Sequence, residues 1–208
     1  ISAVGSLRED YVPGDFVLVD QFVDRTHSRE STFFQNGLVA HVSMAHPVCS
    51  RNGSHILEAA KHESIKIHEK GTYIVMEGPQ FSTKAESEIY RKGERDVIGM
   101  TNMPEAKLAR EAEICYTSVA MVTDFDCWHP NHENVTVDAI IKVLTANAAN
   151  AKKLIKSFVP FFQNDNNFEN CTCKKALDNA IITSPGMRSK EVMDKLSSIL
   201  TRLNYNSN

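Results

Sequence analysis

Cys115–Trp128 reads CYTSVAMVTDFDCW: a run of small, β-branched and apolar residues that ends in two aspartates, Asp124 and Asp126. Such a run predicts a buried strand, and the i, i+2 spacing puts both carboxylates on one side of its backbone. At the end of a buried strand in an α/β sheet they stand where such sheets bind ligands. Two carboxylates on one side can hold two neighbouring polar atoms of a ligand edge, or one metal ion.

Outward from this stretch, strand and helix patterns alternate. Asp15–Asp20 (DFVLVD), Thr72–Met76 (TYIVM) and Asp96–Thr101 (DVIGMT) read as short buried strands. Ser54 is placed to cap a helix over Ile56–His62, and Thr83 with Glu86 has capping-box spacing for a helix towards Arg91. Pro104 suits the first turn of a helix that ends at Ala112. Downstream, Thr136 is placed to cap the longest helix, Val137 to Phe158, with Pro160 as its stop. Gln163–Lys174 is polar and Asn-rich and reads as a loop; Ser184-Pro185-Gly186 marks a turn before a last amphipathic helix over Lys190–Leu203. Strands alternating with helices predict one α/β domain around a mostly parallel or mixed sheet. There is no internal repeat and no second domain in the pattern.

The whole chain sets modest limits. Its 208 residues suffice for one buried core, and 23 basic against 26 acidic residues give no nucleic-acid or membrane surface. No apolar run approaches transmembrane length, and no signal-peptide pattern opens the chain. The N-x-S/T triplets at Asn52, Asn134 and Asn170 then read as chance. Five cysteines make an odd count and a poor disulfide framework, which suits a reducing cytoplasm. The opening ISAVGSL reads as the end of a buried strand entering a tight turn, so part of the protein is expected to precede Ile1.

Rival chemistries have less support. Cys127, His129 and His132, completed by Cys171 and Cys173, form a possible zinc set, but the spacing is not a standard one and Pro130 breaks any helical arrangement. Surface histidines in a loop are the plainer reading. A metal-binding Asp-x-Asp, as in sugar-nucleotide transferases, lacks a second acidic cluster. Cys171-Thr-Cys173 reads as free thiols in a mobile loop, with a strained, redox-sensitive disulfide as the second reading. Dinucleotide enzymes, P-loop NTPases and α/β-hydrolases lose support because their glycine and serine motifs are missing.

Four longer stretches, GDFVLVDQFVDRT, MEGPQFSTKAES, DVIGMTNMPEAKLAREAEICY and MVTDFDCW, resemble in the same order the methylthioadenosine phosphorylases of the purine nucleoside phosphorylase superfamily. The likeness runs from Ile1 to about Pro160, closest to bacterial members. It implies a single α/β domain around a mixed, barrel-like sheet, assembled as a homotrimer or a hexamer. It implies phosphorolysis of 5′-methylthioadenosine to adenine and 5-methylthioribose 1-phosphate, with phosphate as co-substrate and no metal or organic cofactor.

The resemblance also assigns residues. Asp124 faces N7 of the purine and Asp126 lies near N6, with Phe125 between them in the substrate-binding set. Adenine offers an acceptor at N7 and a donor at N6, which one protonated carboxyl and one carboxylate match. An acid at N7 would stabilise the leaving base, and burial beside a second carboxylate would raise its pKa to do so. Phe81 stacks on the base, although alone it reads as an ordinary core aromatic. The 6-oxopurine relatives carry Asn in place of Asp124 and Glu in place of Ser82, so this pair favours a 6-aminopurine. Met100 and Thr101 serve ribose and phosphate, and Ser2-Ala3 align with a phosphate-contacting pair. Val137 and Ile140 line an apolar 5′-methylthio pocket, and His41 reaches the 5′ end from a neighbouring subunit. Met100, Val137 and Ile140 read otherwise as routine packing residues, and His41 as a surface histidine.

The departure lies at the front. Full-length members carry a glycine-rich turn with a phosphate-binding Thr, then an Arg-His pair, and neither is in this chain. A phosphate without its Arg loses a strong charge-assisted contact. The expectation is therefore that these 208 residues alone fold poorly and do not turn over substrate. A 6-oxopurine phosphorylase and an inactive purine-binding fragment are the alternatives.

Overall fold

The computed structural model describes residues 1–130, 137–165 and 168–203. Its centre is a curled, mixed seven-stranded sheet. In chain order the strands are β1 Ser2–Ser6, β2 Phe16–Val19, β3 Gln21–Asp24, β4 Ile67–His68, β5 Thr72–Val75, β6 Val97–Gly99 and β7 Ser118–Asp124, arranged across the sheet as β3-β5-β6-β1-β7-β2-β4. The two central strands, β1 and β7, run parallel, while β6 and β2 lie antiparallel outside them.

Alternation in β7 explains the layering. Val119 and Met121 pack with Phe16 and Leu18 under the helices α1 (Ser50–His62) and α4 (Val137–Gln163), whereas Ala120 and Val122 join Val4, Val17 and Tyr73 on the opposite face. A strand buried on both faces must be apolar throughout, which is the run first noted in the sequence. Four further helices are α2 (Lys84–Lys92), α3 (Glu105–Glu111) and the pair α5 (Lys190–Lys195) and α6 (Ser197–Leu200), which lie end to end. A smaller core joins the segment around Phe34 and Leu38 to the C-terminal one through Leu177, Leu196 and Leu200.

Several expectations need correction. α1 starts at Ser50, with Cys49 as its N-cap, and Ser54 sits inside it, donating its hydroxyl to the Ser50 carbonyl at 3.2 Å. α4 passes through Pro160 to Gln163. Proline removes one N–H only, and the last turn is held by aromatic packing, Phe162 lying 6.1 Å from Phe158 and Phe161 stacking 6.3 Å from His55. The single C-terminal helix is instead two short helices broken at Leu196, followed by a 3₁₀ turn at Thr201–Leu203. Gln163–Lys174 is not a plain loop: it includes 3₁₀ turns and buries Cys171 and Cys173. The short strands β3 and β4 carried no clear sequence signal. Thr136 and His132 lie outside the described residues.

Candidate active site

A cavity of about 490 Å³ opens beside the ends of β1, β6 and β7. Its floor comes from Ala3, Val4 and Gly5 of β1 and from Met100 and Thr101 after β6. Thr123, Asp124 and Asp126 form one wall. Phe81, which is 54% exposed, stands at the rim, and Val137 and Ile140 from the first turn of α4 add an apolar lining. Three stretches far apart in sequence thus meet because β1 lies between β6 and β7.

The two carboxylates are built in with care. A register shift between Val4 and Gly5 places Gly5 opposite Asp124, the kind of bulge that re-aims side chains at sites. A Cβ on Gly5 would stand 2.9 Å from Asp124 Oδ1 and 3.3 Å from the Cβ of Asp126, so only glycine leaves room for the pair. Asp126 adopts a left-handed backbone (φ 51°) that turns the chain back, and its N–H donates to Asp124 Oδ1 at 2.8 Å. On the far side Ser87 of α2 donates its hydroxyl to Asp126 Oδ2 at 2.5 Å. α2 is anchored for this by the capping box of Thr83 and Glu86.

Burial raises the pKa of both carboxyls. For Asp126 the negative charge of Asp124 adds to that rise, after burial and against the Ser87 hydrogen bond. Each carboxyl therefore keeps its proton to higher pH than an ordinary aspartate. Thr123 directs its hydroxyl at the Val4 carbonyl oxygen at 3.1 Å and at Asp124 Oδ2 at 2.7 Å, and the bond to Asp124, with that from the Asp126 N–H, works against the rise that burial causes.

The opposite end of the cavity holds hydroxyls. Thr101 Oγ1 lies 2.6 Å from Ser2 Oγ and 3.2 Å from the Tyr73 hydroxyl, which in turn lies 3.3 Å from Ser2. Gly99 makes room for Tyr73, since a Cβ there would collide with its hydroxyl. Behind Met100, Arg29 donates to the carbonyls of Met100 (2.9 Å), Met103 and Glu77 (2.8 Å), tying the ends of β5 and β6 together. Tyr73, Arg29, Gly5, Thr123 and Ser87 were not singled out from the sequence. Only their motif context, not their type, could have marked them.

Four expected residues do not line the cavity: Ser2 lies behind Thr101, and Phe125, Ser82 and His41 stand elsewhere. Phe125 turns into the core against Trp128, with ring centroids 5.9 Å apart. β7 ends at Asp124, so it is the left-handed turn at Asp126, and not the expected strand alternation, that brings both carboxylates to the cavity and leaves Phe125 in the core. Ser82 is one layer back: its hydroxyl faces the Met76 sulfur at 3.7 Å, and its carbonyl accepts from the Cys127 thiol at 3.4 Å. His41 lines a separate groove with Asp20 and Cys49. The zinc set is dispersed as well. Cys127 faces the cavity, His129 packs on Phe125 and pairs with Glu9 at 3.3 Å, and Cys171 and Cys173 belong to another cluster.

Comparison with known proteins is consistent with this geometry. The model of the phosphorylase superfamily matches residues 1–160. S-methyl-5′-thioadenosine phosphorylase of Bradyrhizobium diazoefficiens is 57% identical over 203 residues, covering 98% of this chain and 70% of that protein. Among solved structures, a methylthioadenosine phosphorylase from an antarctic soil metagenomic library superposes with a TM-score of 0.89 at 47% identity, covering 96% of this chain and 70% of that one. Methylthioadenosine phosphorylase from Schistosoma mansoni in complex with adenine gives 0.83 at 33% identity, covering 87% and 71%. The chain belongs to the phosphorylase superfamily and, within it, to the family of S-methyl-5′-thioadenosine phosphorylases.

Proposed function

We propose that the cavity binds 5′-methylthioadenosine and phosphate and supports phosphorolysis to adenine and 5-methylthioribose 1-phosphate. The observation that carries this reading is the buried pair Asp124 and Asp126, both with raised pKa, on one wall of a largely apolar pocket. Adenine presents an acceptor at N7 and a donor at N6, and a protonated carboxyl beside an ionised one is the complementary edge. Phe81 at the open rim is free to stack on the purine face. Val137 and Ile140 offer apolar surface to a methylthio group.

As the bond between ribose C1′ and N9 breaks, its electron pair stays on the base. A proton from Asp124 at N7 neutralises that charge. The sugar, left electron-poor at C1′, accepts a phosphate oxygen on its other face. Thr101 and the Ala3 segment stand at the hydroxyl-lined end suited to that phosphate, with Ser2 hydrogen-bonded to Thr101 behind them. No lysine or arginine is among the described lining residues. A phosphate dianion therefore draws its positive partner from outside them. No step requires a metal or organic cofactor. Assembly as a homotrimer in the cytoplasm completes the reading, with His41 lent to a neighbouring site.

The test is steady-state phosphorolysis by the full-length protein with methylthioadenosine and inosine as competing substrates. A kcat/KM at least about 100-fold higher for methylthioadenosine is expected, the discrimination a hydrogen-bonding edge can give. Equal rates, or a preference for inosine, would overturn the assignment of the Asp pair.

A further inference from the structure

Away from the purine cavity, four of the five cysteines converge. Cys49 precedes α1, Cys115 follows α3, and Cys171 and Cys173 flank the start of a 3₁₀ turn at Thr172–Lys175. Their sulfurs all lie within 4.8 Å of one another, with Cys115 to Cys171 at 3.4 Å and Cys49 to Cys171 at 3.7 Å. A zinc ion held by four thiolates at about 2.3 Å requires sulfur–sulfur edges of about 3.8 Å. Cys49, Cys171 and Cys173 are buried and Cys115 is half-buried. The hydrophobic drive alone does not explain why thiols from three separate segments share one point.

The surroundings carry charge of the opposite sign. Arg51 directs Nη2 at the Cys115 sulfur and Arg110 directs Nη1 at the Cys173 sulfur, each at 3.8 Å. Both guanidinium groups have a buried Nε without a hydrogen-bond partner, and Arg110 is only 9% exposed. Arg51 also pairs with Asp165, and Arg110 with the His46 carbonyl. Four thiolates on a dication leave two negative charges, which these two cations face. Two disulfides would be neutral and would leave the guanidinium groups facing uncharged sulfur. A groove of about 650 Å³ reaches Cys49, Cys171 and Cys173 and gives an ion a route in.

We propose that Cys49, Cys115, Cys171 and Cys173 form a closed four-thiolate site for a zinc-class dication, structural rather than catalytic, which pins the C-terminal segment to α1 and α3. With every coordination position taken by protein, no place remains for a reacting water. The C-terminal segment otherwise rests on the small core around Leu38 and Leu177. The spacing escapes sequence motifs because the ligands are scattered over more than a hundred residues and only Cys171 and Cys173 are close neighbours.

The experiment is metal analysis of the full chain, purified under reductant, with cobalt(II) reconstitution and thiol counting. We expect one zinc per chain, and a cobalt form with the intense visible and near-ultraviolet bands of a tetrahedral tetrathiolate site. Four thiols should stay protected from a thiol reagent until a chelator and denaturant are added, while Cys127 is not among them. C115S and C173S should each lose stoichiometric metal and the tetrathiolate spectrum. If either variant fails to fold, the wild-type metal ratio and cobalt spectrum decide alone. A reduced chain that neither retains nor takes up zinc, disulfides found by non-reducing intact mass under the same conditions, or metal retained equally by both variants would overturn the proposal.

Discussion

Asp124 is held by contacts on two sides of its carboxyl, and that arrangement predicts what an amide would do there. Asp124→Asn keeps the shape but has no proton to release to N7. Phosphorolysis of methylthioadenosine should fall by about 10²–10⁴ in kcat, the usual worth of a positioned acid. Unchanged kcat would remove Asp124 from the chemistry. The pH dependence follows from the raised carboxyl pKa values. The acid form is the active one, so kcat/KM should be level at low pH and decline as pH rises through the raised range. The same shifts make this pair bind more protons in the folded state than in the unfolded one, so its own contribution to stability is full below the ordinary carboxylate range and is lost as pH rises through the raised one.

Two elements carry that pair, and each has a weak point. Thr83 caps α2, and α2 holds Ser87 against Asp126. Thr83→Ala should cost about 1 kcal/mol in denaturant unfolding and raise KM for the nucleoside, because Asp126 loses a firmly placed donor. A stability loss with KM unchanged would mean that Ser87 does not depend on the cap. Gly5 in the β1 bulge is the second. Gly5→Ala drives a methyl towards Asp124 and should cost about 1–3 kcal/mol of stability. Activity should fall further than stability accounts for, read as lower kcat/KM at a temperature where the variant is folded. Much of this was open to a reader of the sequence. The apolar run into Asp124 and Asp126 and the Thr83–Glu86 box are local patterns, and local patterns survive folding. Gly5, Tyr73 and Arg29 matter through partners about 25 to 120 residues away, and no spacing rule reaches that far. Pro160 and Ser54 misled because packing and neighbouring turns override single-residue signals in a long helix.

At the scale of the whole molecule, the site as one chain displays it is open on the side of Phe81 and Val137, both more than half exposed. His41 lies in the groove beside Asp20 and Cys49 and does not line the purine cavity of its own chain. If it contributes to catalysis, it does so across an interface, and assembly becomes part of the active site. Sedimentation equilibrium should then give three chains per particle. His41→Ala should raise KM for methylthioadenosine by about tenfold, the value of one lost hydrogen bond to substrate, while adenine affinity measured by calorimetry stays constant because the base does not reach the 5′ end. Mixing supplies the decisive control. Asp124→Asn and His41→Ala chains, each impaired alone, should recover sites of wild-type KM when refolded together, since a mixed trimer pairs an intact Asp124 with a neighbour's intact His41. Absence of recovery in particles shown to contain both chains would place His41 outside the reaction, and the open rim would then be closed by other residues.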